Sequence, residues 1–497
     1  MADRAHPHEP DLLDSSEAGG AAVRGAAVRV AGYFAGIVIT VVSAALLFRH
    51  LGVEDTGRYV TVLALIAIVT GVTDIGLTTI GLRELAVRDR RAQHVLLTNL
   101  LGLRLVLAVV GVAAITGFAA LVGYGSTMVL GTLLAGVSVV AISVQSTLVI
   151  VLMVRLRLGW VTLLDLLRQV VLVVAIVALV VADAGLLAFL AIQGPAAIVA
   201  LAVTVLLVRR DAPLRPSFAT GEWRALLREV LPFAAATIVV TIYFRSALLV
   251  LGLVSDETET GHFGAAFRVA EVLLALPGLM VSAAFPIFSR SARDDHERLA
   301  YGVDRVFQTS LLAGAGIMLA LVLGAPVAID VIAGPAFAPS AGVLRILAVA
   351  LMVSFGATTL FYALLSLRMH GTILLASCLV LAFSVVLAAI LGRAHGATGA
   401  ALSTVVAELV GVAVAVVALR RRHPALVPSL GPVLRVAAAA GVGFLVVLAP
   451  VPALVAAVAG TALYAGAAIA LRAVPPELLE AFLARRRVSA GAGSRPG

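Results

Sequence analysis

The chain has no lysine; all 36 of its basic residues are arginine. It has one cysteine, Cys378, set inside an apolar run, so no intramolecular disulfide can form. Aromatic residues make up 5% and charged residues 13% of the 497 positions. Soluble globular chains carry about 25% charged residues, so an ordinary soluble domain is excluded. There is no GxxxxGK[ST] phosphate loop, no HExxH and no Cys/His cluster. The loops expected on the outer face reach only about ten residues, too short for the catalytic domain a membrane glycosyltransferase would need, so an enzyme is not expected. The opening "MADRAHPHEPDLLDSSEAGG" is polar and acidic, without the basic start and short apolar core of a cleaved signal peptide. Residues 1–24 read as a disordered cytoplasmic tail.

What remains is apolar. Hydrophobic residues make up 62% of the chain, and the mean hydropathy is +1.12. Leu105 to Val154 contains no charged residue, enough for two crossings at about 20 residues each. The fold class is therefore an all-α polytopic membrane protein. Fourteen spans are predicted, at roughly 26–48, 58–82, 96–122, 126–152, 164–182, 185–208, 230–254, 261–288, 304–330, 340–366, 371–391, 397–419, 432–449 and 453–472. Gly123-Tyr124-Gly125-Ser126 supplies the turn inside the long charge-free run, and Pro450 and Pro452 divide the last one. Pro277, Pro326 and Gln193-Gly194-Pro195 are expected to break helical hydrogen bonding inside spans 8, 9 and 6.

The net charge of +9 could suggest nucleic acid in a soluble protein, but the arginines are sorted by loop. With the N-terminus inside, the inner loops hold Arg83, Arg88, Arg90 and Arg91, Arg155 and Arg157, and Arg209, Arg210, Arg215, Arg224 and Arg228. Arg290, Arg293, Arg298, the run Arg420-Arg421-Arg422 and the run Arg485-Arg486-Arg487 lie on the same side. The outer loops hold only Arg49, Arg58 and Arg393. This bias places both termini in the cytoplasm, with the basic surface against anionic headgroups. No nucleic-acid partner is expected.

One motif occurs twice. Sliding the sequence by 204 positions lays Asp55-Thr56-Gly57-Arg58-Tyr59 over Glu259-Thr260-Gly261-His262-Phe263. Both copies open an even-numbered span, the second and the eighth, so they take equivalent places in two six-helix halves of the same orientation. The predicted organisation is an N-lobe at 25–208, a cytoplasmic linker helix at 209–229, a C-lobe at 230–420, spans 13 and 14 at 421–473, and a cytoplasmic tail at 474–497. Within the linker, Thr220–Val230 ("TGEWRALLREV") reads as a short amphipathic helix with Thr220 as its N-cap.

Three segments carry a family resemblance: "LGVEDTGRYVTVLALIAIVTGVTDIGLTTIGLRELA" from Leu51, "GHFGAAFRVAEVLLALPGLMVSAAFPIFSR" from Gly261 and "AGPAFAPSAGVLRILAVA" from Ala333. They resemble the signature segments of bacterial oligosaccharide flippases, the polysaccharide-biosynthesis transporters of the superfamily that also holds multidrug extruders and lipid II flippases. The resemblance covers most of residues 25–420. It implies movement of polyprenyl-diphosphate-linked oligosaccharide from the inner to the outer leaflet of the bacterial plasma membrane by alternating access. It also implies work beside glycan polymerase or glycosyltransferase machinery. A monomer among membrane lipids is expected, with no cofactor; Na⁺ or H⁺ coupling stays open.

Charge inside a span is costly, so it usually faces a cavity or a partner. Arg245 in span 7, with Arg268 and Glu271 in span 8, lies roughly 10–15 Å below the outer surface at about 1.5 Å per residue. Arg268 and Glu271 share a helix face. Together the three form either a cationic patch for the substrate diphosphate, tuned by Glu271, or an ion pair holding spans 7 and 8 together. Glu408, near the middle of span 12, is a candidate proton or Na⁺ site or a partner for Arg245 or Arg268. Asp74, toward the inner end of span 2, is a candidate cavity acid or a cap. Arg24 and Arg29 can line the inner mouth for substrate or serve as positive-inside anchors. Asp330 and Arg345 read as a structural pair, and Arg104, Asp165 and Arg168 as interfacial snorkellers. Two readings stand beside the flippase. One is a cation-coupled drug extruder, which needs an acid-lined apolar cavity; the other is a membrane polysaccharide polymerase or ligase.

Overall fold

Long apolar segments in lipid must satisfy their backbone groups internally, and helices are what this chain builds. A computed structural model describes the backbone of residues 18–74 and 76–475, and side chains from residue 35 on within that range except 229, 231–234 and 294. Sixteen α-helices follow in order among the described residues: α1 Ala18–Asp74, α2 Leu77–Val87, α3 Arg90–Leu121, α4 Ser126–Val154, α5 Leu158–Val181, α6 Leu186–Ala191, α7 Gln193–Val208 and α8 Thr220–Val254. Then come α9 Glu257–Leu273, α10 Ala275–Ser282, α11 Phe285–Asp294, α12 His296–Ala333, α13 Ser340–Ser366, α14 His370–Arg422, α15 Leu430–Phe444 and α16 Ala453–Ala470. No strand occurs among the described residues.

Twelve stretches of these helices are long and apolar enough to cross a membrane. Two of them, Ala35–Val87 and His370–Arg422, run to 53 residues. At about 1.5 Å per residue each is more than twice as long as a hydrocarbon core is thick. Each contains a non-helical glycine, Gly52 (φ 73°) in α1 and Gly396 (φ 57°) in α14, where a side chain would strain the backbone. At the second break the chain folds tightly, because a Cβ on Gly399 would run into the carbonyl of Leu391. Each long stretch therefore holds two crossings, and fourteen result.

Several local expectations change. α1 begins at Ala18, inside the stretch read as a tail. The linker segment at Thr220 is not a separate short helix, since α8 runs unbroken from Thr220 through span 7 to Val254. α12 continues through Pro326, whereas breaks fall at Ile192, just before Gln193-Gly194-Pro195, and at Leu274, one turn before Pro277. A proline lacks the N–H and its ring crowds the carbonyl four residues back, which is why a break precedes it.

The chain divides into two compact units: residues 1–50 with 62–238, and residues 51–61 with 239–497. In the first, Leu77, Leu85, Leu100, Ile150 and the α8 residues Leu226 and Val230 share one buried cluster. The loop before α8 is laid directly on α3: Ser217 N–H donates to Thr98 O at 2.9 Å, and a Cβ on Gly102 would strike Ser217 O. The apolar face of the amphipathic segment is thus part of the first unit's core. In the second unit, α15 and α16 pack on α12 through Leu319, Leu323, Ala439 and Tyr464. Gly443 and Gly460 let these backbones approach, since a Cβ on Gly443 would stand 2.8 Å from Gly460 O. Tyr464 Oη donates to Leu312 O at 2.7 Å.

Candidate functional site

The second unit brings the three charged residues of spans 7 and 8 together. Arg245 on α8 and Arg268 on α9 both grip Glu271. Arg245 Nη2 donates to Glu271 Oε1, and Arg268 Nη1 donates to Oε2 at 2.9 Å. The helix spacing accounts for the second contact, since residues three apart stand one above the other on a helix face. Arg245 also lies over the Phe267 ring, 5.6 Å from its centroid. None of the three is sealed: the side chains are 26%, 38% and 26% exposed for Arg245, Arg268 and Glu271. One carboxylate with two oxygens is thus shared between two guanidiniums, and the group carries a net positive charge. Each guanidinium has five N–H donors, far more than Glu271 can accept.

Glu408 has a different partner from either arginine considered for it. Tyr243 Oη donates to Glu408 Oε1 at 2.7 Å. Tyr243 stands two residues before Arg245 on α8, so it leaves the helix on another side. Glu408 and Tyr243 line a cavity of about 240 Å³ whose other walls are mostly apolar, among them Val240, Phe244, Phe361 and Val380.

In the first unit, Asp74 is neither a simple cap nor unpartnered. Asp74 Oδ1 accepts from Arg104 Nη2 on α3 and from Thr78 Oγ1 at 2.6 Å. Arg104 Nη1 donates to Thr147 Oγ1 at 3.3 Å. The Arg104 side chain is only 1% exposed, against 48% for Asp74. The snorkelling expected of Arg104 is therefore corrected: it points inward, because Asp74, Thr78 and Thr147 offer it acceptors that lipid does not. A cavity of about 310 Å³ adjoins the pair, lined also by Thr70, Thr73, Ser143 and Ser146. Arg104 Nε finds no acceptor among the described atoms.

Arg345 donates from Nε to Val322 O at 3.2 Å. The side chains of Arg24 and Arg29 lie outside the described residues. No group of three or more His, Cys, Asp or Glu side chains that could hold a metal ion is found among the described residues. The Asp74–Arg104 and Tyr243–Glu408 partnerships were not visible in sequence, since 30 and 165 positions separate the partners. The only local hint was Thr78, one turn from Asp74 on the same face.

A family model described as "Polysaccharide biosynthesis protein" matches residues 22–292. No curated protein matches the chain. Among solved structures, the lipid II flippase MurJ in an inward closed conformation is similar with a TM-score of 0.77 at 14% identity, over 89% of this chain and 98% of that one. An inward-facing multidrug resistance MATE family transporter of the MOP superfamily gives a TM-score of 0.63 at 17% identity, over 81% and 98%. A MOP superfamily transporter from Pyrococcus furiosus gives 0.54 at 17% identity, over 86% and 100%. At these identities the likeness is one of fold, and the fold is that of MOP superfamily transporters. Residues 22–292 are more than half of the 497, and the chain belongs to the polysaccharide biosynthesis protein family.

Proposed function

We propose that this protein flips a polyprenyl-diphosphate-linked oligosaccharide from the inner to the outer leaflet of a bacterial plasma membrane by alternating access. In this reading both termini are cytoplasmic, and the protein works as a monomer beside the glycosyltransferases or polymerase that make and extend the glycan. The observation that carries it is the Arg245–Glu271–Arg268 group, two arginines to one acid within membrane-spanning helices. A diphosphate must leave bulk water to cross. Arginine stays charged at any depth and offers a planar fork that fits phosphate oxygens. Glu271 holds both forks in place while no substrate is bound, so that the diphosphate competes with it and can leave again. Family membership and the transporter fold support the same assignment.

The test is depletion of the protein in its own cells. The expected result is a lipid-linked glycan that accumulates in the inner leaflet, accessible to a glycosidase only in inverted vesicles. Unchanged export with altered drug resistance would favour the second reading, a cation-coupled extruder. The observation behind that alternative is Glu408, an acid in a largely apolar cavity beside Tyr243.

A further inference from the structure

Away from the Arg245–Glu271–Arg268 group, three arginines converge at one end of the appended helix pair. Arg305 near the start of α12, Arg435 on α15 and Arg472 just past the end of α16 line one cavity of about 580 Å³, with Gln308, Ser429 and Pro432. No acidic side chain is among the cavity's lining residues. The neighbouring carboxylate, Asp304, does not line the cavity and is held by two residues that do, Ser429 and Gln308. Its Oδ1 accepts from Ser429 N at 3.1 Å and Ser429 Oγ at 3.2 Å, and its Oδ2 accepts from Gln308 Nε2 at 2.5 Å. Gln308 Oε1 in turn accepts from Arg305 Nη1 at 3.2 Å, and Arg305 lies 5.1 Å from the centroid of the Tyr301 ring. This network fixes one wall.

The opposite wall is fixed by backbone. α16 closes with Arg472 N donating to Ile469 O at 3.1 Å and Ala473 N to Ala468 O at 2.8 Å, which sets the direction in which Arg472 leaves the chain. Arg435 Nη1 donates to Arg472 O at 3.3 Å, spending one of five donors. Neither Arg435 nor Arg472 joins an ion pair with a carboxylate among the described residues.

We infer that this cavity binds a phosphate group, and that the phosphate is the headgroup of an anionic membrane lipid. Guanidinium forks from three elements suit a phosphodiester, whose oxygens accept from more than one side. Positive-inside anchoring would leave such arginines spread over the surface; here they share one concave site. The surroundings fit the lipid source. Leu430 and Leu434 are each 69% exposed beside the site and Ile469, which lines it, is 55% exposed, so acyl chains would find apolar surface next to the headgroup. A lipid seated there would join α15 and α16 to α12 at the end opposite the Gly443–Gly460 approach.

The test titrates phosphatidylglycerol into the purified full chain in detergent, with bound lipid counted by native mass spectrometry. The charge-removing variant is Arg435→Gln/Arg472→Asn, with asparagine chosen because position 472 has a φ of 53°, which asparagine tolerates. The control, Arg420→Gln/Arg421→Gln, removes equal charge from an exposed run. The wild type and the control should bind phosphatidylglycerol equally. The cavity variant should bind about a hundredfold more weakly, about tenfold for each arginine contact removed. Equal losses in both variants, or no loss in the cavity variant, overturns the site. If the double variant does not fold, Arg435→Gln alone should weaken binding about tenfold, and unchanged binding has the same overturning force. Millimolar inorganic phosphate should leave lipid binding in place; if it displaces the lipid and stabilises the protein in its absence, the ligand is free phosphate and the lipid assignment is overturned.

Discussion

Gly57 and Gly261 meet backbone to backbone within the second unit. A Cβ built on Gly57 would fall on the carbonyl oxygen of Glu257 and stand 2.9 Å from Gly261 N, and one built on Gly261 would fall on the carbonyl of Val53. The relationship is reciprocal. Glu257 precedes Gly261 by one helical turn as Val53 precedes Gly57, and both pairs are related by the same 204-residue shift that aligns the two acid-Thr-Gly segments. Gly264, the counterpart of Val60, takes the Val60 side chain against its bare Cα. The repeated motif marks a close crossing of the starts of spans 2 and 8, for which only glycine leaves room.

Gly57→Ala or Gly261→Ala should therefore destabilise the protein by about 1–3 kcal/mol, since the obstruction is backbone that cannot rotate away. Gly117→Ala, where nothing lies within 4 Å, should be neutral or slightly stabilising. Melting in detergent, followed by loss of monodisperse protein on heating, measures the difference. Equal melting of all three variants would remove the crossing from the account.

The Asp74–Arg104 pair should respond asymmetrically. Asp74→Ala strands a guanidinium that is 1% exposed and should cost about 3–5 kcal/mol. Arg104→Met leaves behind only Asp74, which is 48% exposed and can regain water, so the loss should be clearly smaller. The same melting assay ranks them, and the reverse order would contradict the burial on which this rests.

The arginine bias predicts an orientation that labelling can check. Ser255→Cys, between α8 and α9, should react with an impermeant thiol reagent in intact cells. Arg215→Cys should react only after permeabilisation, and native Cys378, inside α14, should remain unlabelled. Protection at 255 together with labelling at 215 in intact cells would invert the topology.

The crossings were legible because lipid imposes a coarse rule. Charge-free runs, the Gly123–Ser126 turn and the prolines at 450 and 452 mark ends that the helices respect: α3 stops at Leu121, α4 starts at Ser126 and α16 starts at Ala453. Contacts across helices follow no such rule. The Arg268–Glu271 contact was readable because both residues lie on one helix, and the nearness of Arg245 was readable from equal depth. Arg104 looked like any arginine near a membrane surface, and only the fold sets Asp74, Thr78 and Thr147 around it. Glu408 was recognisable as an acid in lipid, but Tyr243 as its partner was not, because aromatic residues in spans carry no signal of what they touch.

The central claim is that the Arg245–Glu271–Arg268 group serves the substrate and does more than fasten helices, and one variant separates these roles. Arg245→Met/Arg268→Met/Glu271→Leu removes all three charges at once and leaves none unpaired, so the folded protein should survive near wild-type stability. The measurement is the amount of lipid-linked glycan retained in the inner leaflet of cells that depend on this variant. The account predicts a folded, membrane-inserted protein with export abolished and glycan accumulated as in the depleted strain. Normal export by the triple variant would mean that the group is an ion bridge alone, and would contradict the account.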